Sequence, residues 1–261
     1  MVIVPPAFGK TKETLFGLAL TLTENFRRLG QPLAVVRFDG IRKKGESHKD
    51  PEASEPPYEL LNTNFTQSAA DIVAILDWLD LNPKLRASSV VLVTFSFSAL
   101  DARIVLRHEE NRRRVQYWIA CMGTPEFRDL MVRINCGLDF LENYQLGIKL
   151  GVMPVLGNLV NVDYYVGDGV RNSVATLEQA REEELLLVEA LAGLASSDGL
   201  FEPAGLALVT AGAAAALWGS AASAFSPAFF SVAFPVKCAA PGAQPGVTVA
   251  ARSLADRWNI F

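Results

Sequence analysis

Residues 89–95 (SVVLVTF) limit what this chain can become more than any other segment, because they are short, uncharged and β-branched and run without a linker into SFSAL and a helical pattern. A strand without polar alternation is buried on both faces, the situation of a central strand in a parallel sheet. The flanking sequence repeats the theme. Val2–Val4 ends at a Pro-Pro turn, and Leu15, Leu18, Ala19, Leu22 and Phe26 then recur at helical spacing. Residues 33–38 form a second apolar run, followed by a polar loop with Gly and Pro over 39–57. Ile72, Ile75, Leu76 and Leu79 mark another helix face, and 115–121, 206–210 and 234–238 read as further strands. Strands alternating with helices predict an α/β fold with a doubly covered, mostly parallel sheet.

Residues 122–171 depart from this rhythm, being rich in Leu, Gly, Val and Asn, before a charged helix over 173–191. They are expected to form a cap inserted over the sheet of one domain spanning 1–261. At 261 residues, half of them hydrophobic, the chain can bury a core of that size.

Charge excludes some classes of function. A net charge of -4 offers no general attraction for nucleic acid. The charges are unevenly distributed, and 203–235 carries none, a length that could span a bilayer. Its Ala, Gly and Ser content and the interruptions at Pro227 and Pro235 favour buried strands and small-residue helices instead. The start, MVIVPPAFGK, has no basic region ahead of an apolar one and does not read as a secretory signal. Cys121, Cys136 and Cys238 are odd in number and set among apolar residues, as expected of buried thiols in a reducing compartment. A cytoplasmic location follows, and neither a metal nor a cofactor is expected.

The pentapeptide Thr94-Phe95-Ser96-Phe97-Ser98 carries the chemical signal. A nucleophile elbow between strand and helix needs small residues two before and two after the serine, since bulky ones collide in so sharp a turn. Thr94 and Ser98 are small, although neither is glycine; an ordinary helix N-cap serine is the alternative. An oxyanion hole needs the backbone N–H after the nucleophile, here Phe97, and a second from the loop after an earlier strand, here Phe8 in PPAFG.

The stretches PPAFGKTKETLFGLALTLTENF, VVRFDGIRKKGES, VVLVTFSFSALDARI and GTPEFRDLM resemble, in order and spacing, successive blocks of the bacterial bioluminescence acyl transferases, serine thioesterases of α/β-hydrolase fold. The likeness is good to about residue 190 and faint beyond, where ALVTAGAAAALW and PGAQPGVTVAARSLADRW are weaker matches. It implies that Ser96 accepts a long-chain acyl group, with Phe97 and Phe8 as oxyanion donors, and that the partners are an acyl thioester and acyl carrier protein. The relatives carry earlier strands, so a truncated start or a degenerate copy is expected. Where they place the acid and the base histidine, this chain has Gly212-Ala213-Ala214-Ala215-Ala216 and Pro241-Gly242-Ala243-Gln244-Pro245.

Two histidines are present. His108 lies twelve residues past Ser96 on what reads as one helix, roughly 18 Å away at the helical rise; His48 falls in the loop after the second strand. Loss of a triad member typically costs on the order of four to six decades in rate. Asp39, Glu46, Glu126 and Asp129 fall in loops that could border the site, where solvation or ion pairing is the ordinary fate of a carboxylate. Arg112-Arg113-Arg114 reads as a helix C-terminal cap that could also attract an acidic carrier. Leu138, Phe140, Leu141, Leu146, Leu156 and Val160 would line an apolar cleft above Ser96 or pack the cap. Three readings follow: a serine acyl transferase or thioesterase, a catalytically degenerate relative that binds acyl chains or a carrier protein without turnover, and a cyclisation or lyase chemistry using Ser96 with a nearby carboxylate.

Overall fold

The computed structural model describes residues 1–85, 87–124, 126–179 and 232–233. Its centre is a sheet of strands β1 (Val2–Val4), β2 (Val35–Arg37), β3 (Val91–Phe95), β4 (Tyr117–Cys121) and β7 (Val232–Ala233) in the order β2-β1-β3-β4-β7. The first four are mutually parallel, and β7 pairs antiparallel with β4. The sheet lies between helices, giving an α/β fold with a doubly covered, mostly parallel sheet. The expected strands at 206–210 and 234–238, and the charged helix beyond residue 179, lie outside the described residues, as does the uncharged run apart from β7.

Side-chain alternation divides the core. Val2, Val4, Val93, Phe95 and Ile119 point to one face, where Leu15 and Leu22 cover them from helix α1 (Phe16–Arg28) and the turn before it. Ile3, Leu92 and Trp118 belong to the larger cluster on the other face, built with α2 (Phe65–Asp80) and α3 (Ser98–Leu106). Helix α2 starts at an Asn64 N-cap, whose side chain accepts from Gln67 N–H at 2.7 Å, satisfying a donor that the helix itself cannot.

One sequence expectation is overturned between Ser96 and His108. Helix α3 stops at Leu106, and His108 has extended backbone as the N-cap of a second helix, α4 (Glu109–Arg114). Arg112 seals the break: its guanidinium donates to the carbonyls of Leu106 (3.2 Å) and Arg107 (2.9 Å), the end of α3. Arg113 pairs with Glu109, and Arg114 pairs with Asp77 and Asp80 at 2.9 and 2.8 Å. The arginine run is thus engaged within the fold.

After β4 the chain forms α5 (Arg128–Ile134), α6 (Phe140–Gln145), a hairpin of β5 (Val152–Val155) and β6 (Asn158–Asn161), and α7 (Val162–Arg171). Phe140, Leu141 and Val160 are buried in the main core, whereas Leu146 and Leu156 are exposed. The six residues expected to line one cleft are therefore divided between core and surface. Cys136 is exposed, contrary to the expectation of buried thiols, while Cys121 is half-buried and its thiol is pushed up by burial. Cys238 lies outside the described residues. Among the described residues no helix is long and apolar enough to cross a membrane.

Candidate active site

Strands β3 and β4 run in register, with Phe95 opposite Cys121, and both chains turn sharply at their next residue. Ser96 has φ 53° and Met122 φ 49°, left-handed values that cost a non-glycine residue roughly 1–3 kcal/mol and that collect at functional sites. Ser96 N–H donates to Cys121 O at 3.2 Å, tying the turn to the neighbouring strand, and Ala99 N–H donates to Ser96 O at 3.1 Å as α3 begins. Ser96 is therefore at a strained strand-to-helix junction rather than an ordinary N-cap, a position that α3 gives to Phe97.

The absence of glycine from the pentapeptide is resolved by hydrogen bonding. Thr94 is fully buried, and its Oγ1 accepts from Trp118 Nε1 at 2.9 Å across the strands. Ser98, 1 % exposed, accepts from Phe95 N–H at 2.9 Å and donates to Phe95 O at 2.8 Å. Thr94 is satisfied by the neighbouring strand and Ser98 within the turn, so both small residues fit where glycine is usual.

Phe8, in the loop after β1, meets Phe97 edge to face with ring centroids 5.5 Å apart. The loop after β1 and the residue after Ser96 thus sit side by side, and among the described residues neither the Phe8 nor the Phe97 amide N–H has a hydrogen-bond acceptor. Tyr165 of α7 lies 6.1 Å from Phe8 and 4.5 Å from Phe65, extending an aromatic layer beneath the loop. Gly9, at φ 67°, lets the loop pass against the hairpin: a Cβ there would fall 2.8 Å from Asn158 Nδ2. Asn158 is buried, donating to Leu156 O at 3.0 Å while its Oδ1 has no partner.

The cavity bordered by Phe8, Phe97 and Ser98 is of water size, closed by Lys43, Asp101, Thr63, Asn64, Phe65, Ser68 and Tyr165. It does not provide the expected acyl-sized cleft. A groove of about 350 Å³ exists at the opposite ends of the strands, bordered by Leu79, Val90, Arg114 and Gln116, away from the elbow.

The four loop carboxylates are placed very differently. Asp39 is buried and accepts from the amides of Lys12 (2.7 Å) and Glu46 (3.1 Å) and from Lys12 Nζ (3.1 Å). Burial alone would raise its pKa, but these donors outweigh it and hold the carboxyl below its ordinary value. Glu46 is exposed and pairs with the same lysine at 2.5 Å. Asp129 is exposed and pairs with Arg133 at 2.9 Å. Glu126 departs from the solvated expectation: it is 4 % exposed, Oε1 accepts from Asp129 N–H at 2.9 Å, and buried Oε2 has no partner. Burial raises its pKa. Its loop passes the elbow helix closely, since a Cβ on Gly123 would lie 3.0 Å from Ala99 Cβ. His48 and His108 are both exposed.

No protein-family model matches the chain, and no curated protein matches it. Several solved structures are similar to it in part, two of them as follows. DcsB in complex with its substrate analogue is 19% identical over 59% of this chain and 48% of that chain, with a TM-score of 0.39. Hypothetical protein PA2218 from Pseudomonas aeruginosa is 17% identical over 59% of this chain and 46% of that one, with a TM-score of 0.42. The chain spans about half the length of these structures.

Proposed function

We propose that the protein is a hydrolase-type serine enzyme, an acyl transferase or thioesterase that forms an acyl ester on Ser96 Oγ. The left-handed backbone of Ser96 between β3 and α3, with the Phe97 ring packed against that of Phe8, carries this reading. The resemblance of the PPAFGKTKE and VVLVTFSFSALDARI stretches supplies the substrate class, long-chain acyl thioesters of carrier protein or coenzyme A.

In this mechanism Ser96 Oγ adds to the thioester carbonyl, and the carbonyl oxygen takes up negative charge against the N–H groups of Phe97 and Phe8. Collapse breaks the carbon–sulfur bond, and the thiolate leaves with a proton. Water or another hydroxyl then attacks the ester, releasing the acyl group and restoring the Ser96 hydroxyl. Glu126 is the candidate proton acceptor because it is a buried carboxyl whose Oε2 has no partner, on the loop that passes α3 at Gly123 and Ala99.

The test is intact-protein mass spectrometry after brief incubation with palmitoyl-coenzyme A. An adduct of one palmitoyl group that maps to Ser96, and that forms at least tenfold more slowly in Glu126→Gln, supports the reading. A folded parent that never carries the adduct refutes it.

The exposure of both histidines favours one second reading, a relative that binds acyl chains or a carrier protein without turnover. Saturable binding of a non-hydrolysable acyl-coenzyme A thioether, without any acyl-Ser96, would establish that alternative.

A further inference from the structure

Beneath Phe8 and Phe97, the water-sized cavity is closed by charged side chains that the acyl-transfer steps above do not use. Lys43 comes from the loop after β2 and Asp101 from the first turn of α3. They are 7% and 5% exposed, and Lys43 Nζ lies 3.5 Å from Asp101 Oδ2. Both border the same cavity as Phe8, Phe97 and Ser98. The loop that delivers Lys43 is seated tightly, as a Cβ on Gly40 would fall 2.8 Å from Lys43 Cδ and 2.9 Å from Asp71 Oδ2.

The groups that face Asp101 arrive from three other elements. Lys43 is the cation. Helix α2 brings Asp71, which accepts from Ile41 N–H at 2.9 Å and Gln67 Nε2 at 3.0 Å. Helix α7 brings Tyr165 and Asp168, the latter accepting from Thr66 N–H and Oγ1 at 2.8 and 2.7 Å and from Arg171 at 3.2 Å. Lys43 thus meets Asp101 with the carboxyls of Asp71 and Asp168 nearby, the latter paired with Arg171. Burial is the largest influence on Asp101, with Lys43 opposing it and Asp71 and Asp168 adding to it, so the carboxyl is pushed up to about 6. A buried ion pair in such company recovers less than its desolvation costs. Ionised Asp101 therefore makes the fold less stable, and a feature that costs stability needs another account.

Position supplies that account. The pair ties the loop after β2 to the first turn of the helix whose N-cap is Phe97, at the cavity that Phe8 also borders. We propose that Lys43 and Asp101 are positioning residues for the oxyanion site, their ion pair clamping the 39–50 loop to α3 and setting the floor on which Phe8 and Phe97 rest. This rests on the acyl-transfer reading of Ser96.

The test compares the parent, Asp101→Asn, Lys43→Met and Lys43→Arg at pH 7.5. It measures the rate of Ser96 labelling by a fluorophosphonate, the thermal midpoint, and hydrogen exchange of peptides covering 39–50 and 94–100. The expected result is labelling at least tenfold slower in Asp101→Asn, with a thermal midpoint no lower than the parent's and at least tenfold faster exchange in 39–50. Lys43→Arg, which keeps the pair, should label within threefold of the parent. Labelling of Asp101→Asn within twofold of the parent overturns the proposal, and so does a loss of labelling that tracks a lowered midpoint. Should Lys43→Met not fold, Asp101→Asn and Lys43→Arg decide. If the parent is not labelled at all, the acyl-transfer reading fails by itself, and exchange decides the clamp: unchanged exchange of 39–50 in Asp101→Asn overturns it.

Discussion

Ser98 Oγ closes a two-way hydrogen-bonded bridge with the backbone of Phe95, accepting from its N–H at 2.9 Å and donating to its carbonyl at 2.8 Å. The bridge spans the residue whose backbone is left-handed, so it holds the turn that presents Ser96. Ser98→Ala keeps the size the turn requires and removes the bridge, leaving a Phe95 amide without its partner. The expected cost is about 1–3 kcal/mol of folding stability, read as a lowered urea midpoint at unchanged slope. An unchanged midpoint would show that the bridge does not hold the turn.

Gly9 and Asn158 test the contact between the loop after β1, proposed to supply an oxyanion donor, and the hairpin. In Gly9→Ala the new methyl meets Asn158 Nδ2 at 2.8 Å in a backbone region that alanine disfavours. Ser96 labelling should slow, and the double variant Gly9→Ala/Asn158→Ala should recover part of that loss by removing the obstructing amide. If the double variant labels no faster than Gly9→Ala, the steric account fails.

The pH dependence of stability follows from Asp101. Its carboxyl is raised from the ordinary 3.8 to about 6, so the folded chain binds this proton more tightly than the unfolded chain does. Stability from this group is therefore greatest at low pH and is lost as pH rises through about 6. Between pH 7.5 and pH 5 the parent should gain about 1.4 kcal/mol relative to Asp101→Asn, as linkage requires. Parallel urea titrations at the two pH values measure the difference, and equal pH slopes in the two proteins would contradict the shift.

The two described cysteines should differ in reactivity. Cys136 is exposed, while Cys121 is half-buried at the end of β4 with its thiol pushed up by burial. Peptide mapping after limited iodoacetamide should find Cys136 modified well before Cys121, and the reverse order would contradict the packing of β4.

Much of the sheet was legible because buried strands leave a local record. Val2–Val4 was read at its observed bounds, and 33–38, 89–95 and 115–121 contained β2, β3 and β4. The strand-to-helix turn at Ser96 was visible from strand, small residues and helix in succession. The hairpin was not, because its two-residue turn uses Leu156 and Gly157 at φ 49° and 76°, and a leucine gives no hint of the left-handed backbone that Asn-Gly would have announced. The end of α3 was missed because its carbonyls are sealed by Arg112 rather than by a glycine or proline. The burial of Lys43, Asp39 and Glu126 was illegible for a shared reason. A polar loop reads the same whether its charges face water or distant partners, and Lys43 meets Asp101 only through the fold.

The central claim is that Ser96 is an activated nucleophile, and active-site labelling tests it most directly. The folded parent and Ser96→Ala would each be treated with a long-chain fluorophosphonate and analysed by intact mass and peptide mapping. The account predicts one adduct, located on Ser96 and absent from Ser96→Ala. A parent that stays unmodified, or one modified equally in both proteins, would contradict it.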